Sequence, residues 1–151
     1  MRTKSGPDTR GSRMYKGVLL KFQEPPEARA PVTHWRLYEY KNDNLEQTLH
    51  ISKQSAYLIG RSPEICDIVT AHPSCSTQHA VLQYRALPVQ KKNEDGSTAT
   101  VLHCQPYLLD LESTNGTFLN GVRIDAARYY QCKTKDVLRF GASTREYVLL
   151  C

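Results

Sequence analysis

Short stretches of alternating apolar and polar residues run through most of the chain, and clusters of turn-forming residues separate them. Trp35–Tyr40 alternates with the period of a half-buried strand, and Tyr57–Gly60 is an apolar run that ends in glycine. A polar segment, Pro88–Ala99, is expected to form a loop between two strands. Further strands are predicted at Leu49–Ile51, Ile68–Val69, Ala80–Tyr84, Val101–Leu109, Thr117–Leu119, Val137–Phe140 and Tyr147–Leu150. Roughly nine to eleven strands at this spacing predict an all-β sandwich.

The first thirty residues differ from the rest in charge and composition. Six basic residues and one acid give residues 1–21 a net charge of +5, whereas residues 22–151 hold 14 basic and 14 acidic residues. Gly, Ser, Pro and Thr are frequent in the first dozen residues, which is typical of a flexible arm. Prolines at 25, 26 and 31 exclude a regular helix or central strand there. Between arm and prolines, the apolar run Gly17–Phe22 could pack on the domain or be presented to a partner.

Composition limits the classes of protein that fit the chain. A chain of 151 residues with 40% hydrophobic residues can bury one substantial core. No apolar run is long enough to predict a membrane span, and no signal peptide is predicted. The five cysteines are odd in number and include no Cys-x-x-Cys pair, which favours a reducing compartment. The sequence therefore predicts a single domain that folds without disulfides.

Sequence signatures of enzymes are absent. The chain has no Gly-x-Ser-x-Gly elbow, no Gly-x-Gly-x-x-Gly turn, no P-loop and no His-Glu-x-x-His pair, so no catalytic residue and no cofactor is predicted. One set of residues matches zinc by ligand type: Cys66, His72, Cys75 and His79. Their interleaved order does not follow the usual spacing of zinc ligands. We therefore predict two packed cysteines and two structural histidines rather than a metal site.

Three predicted loops at one end of the sandwich carry groups that suit an anion. Arg61 follows one strand, Ser76 precedes another, and Thr114 lies in the connection between two more. A guanidinium, hydroxyls and turn N–H groups can together surround the three acceptor oxygens of a phosphate. Each residue alone is a weak indication, because an arginine after a strand is usually solvated. Their combination predicts a phosphate-binding site.

These segments resemble a known family, the forkhead-associated (FHA) domain. The resemblance rests on Gly60-Arg61, Ser76-Thr77-Gln78-His79, the run DLESTNGTFLN at 110–120 and the run KDVLRFG at 135–141. It covers about residues 35–150 and implies an FHA-type β-sandwich of about eleven strands that binds phosphothreonine peptides through loops at one end. With the charge pattern, it predicts an FHA domain at 31–151 behind a flexible basic arm and docking segment at 1–30.

Carried over residue by residue, the resemblance implies roles within the loops. Arg61 and Ser76 would hold the phosphate. Thr114 would add a hydroxyl contact, and Asn115 would hydrogen-bond the peptide backbone. The residues that would shape and brace the loops are Gly60, His79 and Gly116. Thr77 departs from the family, which often has Arg, Lys or Asn there, so a different contact or a grip weaker by about tenfold or more is expected.

A narrower resemblance is to nuclear FHA proteins of animals and fungi, of which the fungal member belongs to the pre-mRNA retention-and-splicing complex. It rests on the stretch from Tyr15 through Arg29, together with Trp35–Tyr38, Gln54–Arg61, His72–Ser76 and Arg145–Leu150. It implies a nuclear adaptor of the spliceosome whose N-terminal segment docks on an RNA-recognition-motif subunit, in a complex that also has a scaffold subunit. The pocket would remain open to a phosphothreonine-containing protein.

Other functions also fit the residues. The chain could be a structural FHA module with an idle pocket, or a phosphothreonine adaptor in other nuclear signalling. Direct RNA binding is suggested by the basic arm and the nine tyrosines. Tyrosines at alternating strand positions are typical of a core, however, and no basic-aromatic RNA-recognition signature is present. We therefore expect RNA contact to be indirect or through the arm only, and no contact with a membrane.

Overall fold

The computed structural model describes residues 14–15 and 18–151. Their strands are β1 (Met14–Tyr15), β2 (Val18–Leu19), β3 (Arg36–Lys41), β4 (Asn44–His50), β5 (Ala56–Gly60), β6 (Ile68–Val69), β7 (Ala80–Lys92), β8 (Thr98–Asp110), β9 (Thr117–Leu119), β10 (Val122–Arg123), β11 (Tyr129–Gln131), β12 (Val137–Phe140) and β13 (Glu146–Leu150). Within these residues no helix is long and apolar enough to cross a membrane.

Eleven of these strands form two sheets that pack face to face. One sheet has the order β10-β9-β12-β13-β3-β4, and the other has the order β11-β8-β7-β5-β6. Neighbouring strands are antiparallel except β5 and β6, which are parallel. Strands β1 and β2 pair separately as a two-stranded hairpin. This architecture confirms the predicted β-sandwich of about eleven strands.

The main core lies between the two sheets. Every second side chain of β12 and β13 points inward, so Leu138, Phe140, Tyr147 and Leu149 are buried while their neighbours are more exposed. In contrast, all five residues of β5 are buried, because both faces of that strand are covered. The inner face of β5 joins the main core. Its outer face joins a second cluster.

That second cluster is built with residues 19–29, which we call the N-terminal segment. Leu20 and Phe22 are buried against Leu58 and Val81 on the outer face of the five-stranded sheet. Of the two alternatives for the apolar run, the structure therefore shows packing on the domain. Residues 1–13 and 16–17 of the predicted basic arm lie outside the described residues. A domain boundary at residue 31 stays a prediction.

Polar bonds continue the attachment of the N-terminal segment. Glu24 Oε1 accepts hydrogen bonds from Ser55 Oγ at 2.5 Å and from Gln83 Nε2 at 3.1 Å. Further along, the carboxylate of Glu27 pairs with Arg85 Nε at 2.6 Å. The guanidinium of Arg85 also lies over the rings of two tyrosines, Tyr107 at 4.6 Å and Tyr129 at 4.4 Å. Residues 19–29 thus run along the five-stranded sheet, and Ala28 forms an isolated antiparallel bridge to Arg85 on β7.

The prediction of a loop at Pro88–Ala99 is wrong. Strand β7 continues to Lys92 and β8 begins at Thr98, so only residues 93–97 connect them. Pro88 is tolerated because β5 pairs with β7 only up to Gln83, which leaves the far half of β7 at the edge of its sheet. The sequence pattern also missed β10 and β11, which are too short for a periodicity. In contrast, β6, β9 and β12 have the predicted bounds.

Candidate functional site

Three connections meet at one end of the sandwich, and we call residues 60–62, 74–79 and 110–117 the loop cluster. The backbone N–H of Arg61 donates to the Ser76 carbonyl at 2.9 Å. Asn115 Nδ2 donates to the Ser74 carbonyl at 2.8 Å. These bonds bring three residues that the sequence predicted as ligands, Arg61, Ser76 and Asn115, into one site.

Arg61 is held by one edge of its guanidinium. Its Nε–H donates to the carbonyl of Cys75 at 2.8 Å, and the residue as a whole is exposed. Because this bond uses only Nε–H, both terminal nitrogens can donate to an anion in a fixed orientation. Half-buried Ser76 lies beside it, with its own carbonyl bonded to the Arg61 N–H. A guanidinium and a hydroxyl are therefore presented together.

His79 joins two of the three connections. Its ring is fully buried, with Nδ1 accepting from the Ser76 N–H at 3.0 Å and Nε2 donating to the Gly116 carbonyl at 2.8 Å. Burial lowers the pKa of His79, although the bond to Gly116 acts in the opposite direction. The ring is thus neutral with its proton on Nε2, as both bonds require. It sets the distance between the Ser76 loop and the Asn115-Gly116 turn.

Gly60 allows a close approach of two backbones. A Cβ atom at this position would lie 2.3 Å from the carbonyl oxygen of Thr77. The same oxygen accepts hydrogen bonds from Cys66 Sγ at 3.2 Å and from the Ser62 N–H at 3.4 Å. Any side chain at position 60 would push the Thr77 peptide away and displace Ser76 with it. The predicted loop-shaping role of Gly60 has this physical basis.

Asp110 organises the third connection, a role that sequence reasoning did not assign. Its Oδ1 accepts from Ser113 Oγ and Thr117 Oγ1, both at 2.6 Å, and its Oδ2 accepts from the Ser113 N–H at 3.1 Å. Ser113 Oγ in turn accepts from the Gly116 N–H at 3.0 Å. All four residues are buried. The signal was available, because short polar residues at this spacing commonly bond the backbone of a turn.

Ser74 was also missed, and here the sequence gives little signal. Its carbonyl receives the Asn115 amide, while its Oγ accepts from the Ala142 N–H at 2.8 Å. Gly141 lies against Ser74, with a hypothetical Cβ only 2.7 Å from Ser74 Oγ. The bond to Ser74 uses one N–H of the Asn115 amide, so its oxygen can still accept from a peptide N–H. Main-chain acceptors such as the Ser74 carbonyl cannot be predicted from residue type, because every residue has one.

Thr77 and Thr114 lie beside these residues and are exposed. Thr77 contributes its carbonyl to the contacts around Gly60, and its side chain is on the surface. Thr114 directly precedes Asn115 at the rim of the third connection. The roles of Arg61, Ser76, Thr77, Thr114 and Asn115 in ligand binding stay predictions.

Gln78 connects the loop cluster to the N-terminal segment. Its amide is buried, with Oε1 accepting from the Lys21 N–H at 2.8 Å and Nε2 donating to the Leu19 carbonyl at 3.0 Å. The residue stands between Thr77 and His79 in the chain. One side chain therefore satisfies the backbone of residues 19–21 from within the loop cluster.

The four residues considered for zinc have separate partners. His79 bonds Ser76 and Gly116, while His72 Nδ1 lies 2.6 Å from Ser74 Oγ. The thiols of Cys66 and Cys75 donate to the carbonyls of Thr77 and Phe140. No group of ligands that could hold a metal occurs among residues 14–15 and 18–151. None of the five cysteines, all within those ranges, forms a disulfide.

Comparison with known proteins places this geometry in a family. The family model for the FHA domain matches residues 57–141, which include the whole loop cluster. Smad nuclear-interacting protein 1 of Mus musculus is 54% identical over 136 residues, which are 90% of this chain and 34% of that protein. The chain thus spans about a third of the length of curated relatives that it matches.

Solved structures agree with this assignment. The yeast Pml1 splicing factor, whose integration into the RES complex was studied with its structure, has a TM-score of 0.67 and 27% identity, covering 87% of this chain and 97% of that one. The MEK1 FHA domain in complex with a HOP1 phosphothreonine peptide has a TM-score of 0.52 and 27% identity, covering 76% and 94%. FHA domains are binding modules with a phosphothreonine-binding fold, and the chain belongs to the FHA domain family.

Proposed function

We propose that this chain is a phosphothreonine-peptide-binding adaptor of the pre-mRNA retention-and-splicing complex in the nucleus. The observation that carries the binding function is Arg61, whose guanidinium is fixed through Nε to the Cys75 carbonyl beside Ser76. The terminal guanidinium nitrogens and the Ser76 hydroxyl would receive the phosphate, with Thr77 and Thr114 as further hydroxyl contacts. Asn115 would bond the peptide backbone through its amide oxygen.

Phosphopeptide titration tests the pocket. We expect the protein to bind a phosphothreonine peptide and not its unphosphorylated form, and Arg61→Ala to weaken binding at least tenfold, since about one or two charge-assisted bonds are lost. Arg128→Ala is the matched control, because Arg128 is an exposed arginine whose ion pair is with Asp125 on another connection. Unchanged affinity in Arg61→Ala would overturn the proposed pocket.

The complex-level role rests on relatives. Yeast Pml1 is a splicing factor integrated into the RES complex, and Smad nuclear-interacting protein 1 is named for the nucleus. The narrower resemblance to nuclear FHA proteins implies that the docking segment at 1–30, through its basic residues ahead of position 19, would dock on an RNA-recognition-motif subunit of a complex that also has a scaffold subunit. The balanced charge of residues 22–151 supports this separation, because a basic docking signal is confined to the arm.

A pull-down from nuclear extract separates the two activities. The intact protein, Arg61→Ala and a protein lacking residues 1–18 are compared; the truncation stops there because Leu20 and Phe22 belong to the fold. We expect the truncation to lose splicing-complex subunits and Arg61→Ala to lose phosphoproteins. Loss of assembly in the truncation with no effect of Arg61→Ala in any assay would instead favour the idle-pocket alternative. A salt-dependent affinity for RNA that survived the truncation would favour RNA binding by the folded domain.

A further inference from the structure

A second arginine lies directly on the Asn115-Gly116 turn. Gly116 has a φ of +88°, and a Cβ built on it would lie 2.5 Å from Nε and 2.9 Å from Cζ of Arg123. Only glycine leaves room for this guanidinium to lie against the backbone of the turn. Arg123 is exposed, so its charged group borders the loop that carries Thr114 and Asn115.

A third arginine continues the row across the sheet. Phe118 on β9 pairs with Arg123 on β10 and with Arg139 on β12. Residues paired in this way lie on the same face, and this face points outward because the neighbours of Arg139, Leu138 and Phe140, are in the core. The Arg139 guanidinium lies 4.7 Å from the centre of the Phe118 ring. At the usual strand spacing, the Cα atoms of the two arginines are about 10 Å apart.

This row carries positive charge without a carboxylate in contact. In the part of the chain that the structure describes, the ion pairs involve Arg85, Arg128 and Arg145, and neither Arg123 nor Arg139 is within 4.0 Å of an acidic oxygen. Glu146, which begins β13 and pairs with Tyr40, makes no such contact with either arginine. Residues 22–151 are neutral overall, so two unpaired arginines at the edge of the loop cluster form a local positive patch.

We infer that Arg123 and Arg139 bind a second anionic group of the phosphothreonine ligand, either another phosphate or an acidic side chain. The inference rests on the proposed function, because it concerns the same peptide. Arg123 is the primary contact, since it is exposed and lies against Gly116, next to Asn115. Arg139, which is held over Phe118 and is only half-exposed, adds a weaker long-range attraction. The ligand class is thus an acidic or multiply phosphorylated segment around the phosphothreonine.

Three kinds of peptide with the same phosphothreonine test this. The first has neutral flanking residues, the second is a series with one aspartate at each flanking position in turn, and the third is a series with a second phosphate at each of those positions. We expect the wild-type protein to bind the best acidic or doubly phosphorylated peptide about fivefold tighter than the neutral one, a preference that decreases at high salt. Comparing the aspartate with the phosphate peptides tells which source of negative charge is preferred.

Variants connect the preference to the two arginines. Arg123→Gln should reduce the preference to less than about twofold while leaving the affinity for the neutral peptide nearly unchanged, and Arg139→Gln should have a smaller effect of the same kind. Arg128→Gln removes the same charge elsewhere and should keep the full preference. Arg123 and Arg128 are exposed and Arg139 is half-exposed, and thermal melting verifies that the variants are folded.

The outcomes are distinct. A wild-type protein without preference, or a preference that survives in the Arg123→Gln/Arg139→Gln double variant, overturns the inference while Arg61-dependent binding of the neutral peptide keeps the proposed function. A protein that binds none of the three kinds of peptide overturns both.

Discussion

The loop cluster and the N-terminal segment are both irregular stretches of backbone attached to the same sandwich, but their polar side chains are used differently. In the N-terminal segment, Glu24 accepts from Ser55 and Gln83, and Glu27 pairs with Arg85, so both carboxylates are engaged in attaching the segment. In the loop cluster, the guanidinium of Arg61 uses only its Nε–H to bond the rest of the protein, at the Cys75 carbonyl. Its remaining donors face no partner within the described residues.

The difference teaches how a loop can be rigid and still bind. The buried side chains of His79 and Asp110 bond the backbone of the loop cluster, so the terminal nitrogens of Arg61 and the amide oxygen of Asn115 are left for a ligand. The N-terminal segment is held by its buried apolar side chains, Leu20 and Phe22, and by its two carboxylates, so its polar groups are used for attachment. We therefore expect substitutions beneath the loop cluster to affect folding and binding together, and substitution of Glu24 or Glu27, which bond away from the loop cluster, to affect mainly stability.

Asp110→Ala gives the largest expected effect. It leaves the Ser113 N–H and the hydroxyls of Ser113 and Thr117 without their acceptor in a buried site, which should lower the free energy of unfolding by about 4 kcal/mol and abolish phosphopeptide binding. Glu27→Ala is the comparison, because its partner Arg85 is partly exposed and the loss should be about 1 kcal/mol. Denaturant unfolding and peptide titration measure both. Equal losses of affinity in the two variants would contradict the distinction.

Gly60→Ala is expected to rank second. The added Cβ would lie 2.3 Å from the Thr77 carbonyl oxygen, so the loop must move, at a cost of about 2–3 kcal/mol. Phosphopeptide affinity should fall more than tenfold, because Ser76 moves with Thr77. Gly96→Ala in the tip of the β7–β8 hairpin adds the same atom where nothing lies within 4 Å, although its φ is +88°. It should cost about 1 kcal/mol and leave affinity unchanged; a matching loss of affinity would argue against a local clash.

The smallest effect is a dependence of stability on pH. The pKa of His79 is lower in the folded protein than the value of about 6.5 expected in the unfolded chain. Above that value both states are neutral; as the pH falls below it, the unfolded chain takes up a proton that the folded protein does not. The free energy of unfolding should therefore decrease by at most about 1.4 kcal/mol per pH unit until the folded pKa is reached.

Unfolding experiments from about pH 7.5 to 5.0 measure this slope. His79→Gln, although less stable overall, should lose its share of the pH dependence, whereas exposed His50→Gln should keep it. An unchanged slope in His79→Gln would show that another group is responsible. Because no ligand is present, the protonation of the phosphate itself does not enter the measurement.

Strand periodicity predicted most of the fold, and its failures have a common cause. Residues 88–99 are mostly polar and show no alternation, because the far half of the β7–β8 hairpin leaves the sandwich and is exposed. Its strands are held by main-chain hydrogen bonds, which leave no trace in the pattern of side chains. Because this part of the hairpin is exposed to solvent, the sequence pattern could not predict its two strands.

The site divides in the same way. Arg61, Ser76 and Asn115 could be proposed from the sequence because their side-chain chemistry suits a phosphate and because they resemble a family pattern. The carbonyls of Cys75 and Ser74, which orient Arg61 and Asn115, could not be predicted from the sequence, because every residue has a carbonyl. Arg123 lies seven residues from Gly116 in the chain, and only the β9–β10 pairing brings the two together.

The amide of Gln78 determines where a minimal binding unit has to start. It bonds the Leu19 carbonyl and the Lys21 N–H, as the backbone of a neighbouring strand would. Its chain neighbours, Thr77 and His79, belong to the loop cluster. A polypeptide trimmed to residue 31 would lose Leu20 and Phe22 from the second core cluster and leave this buried amide with two unmade bonds next to Thr77. Experiments on phosphopeptide binding by the isolated domain therefore need a polypeptide that begins at or before Leu19.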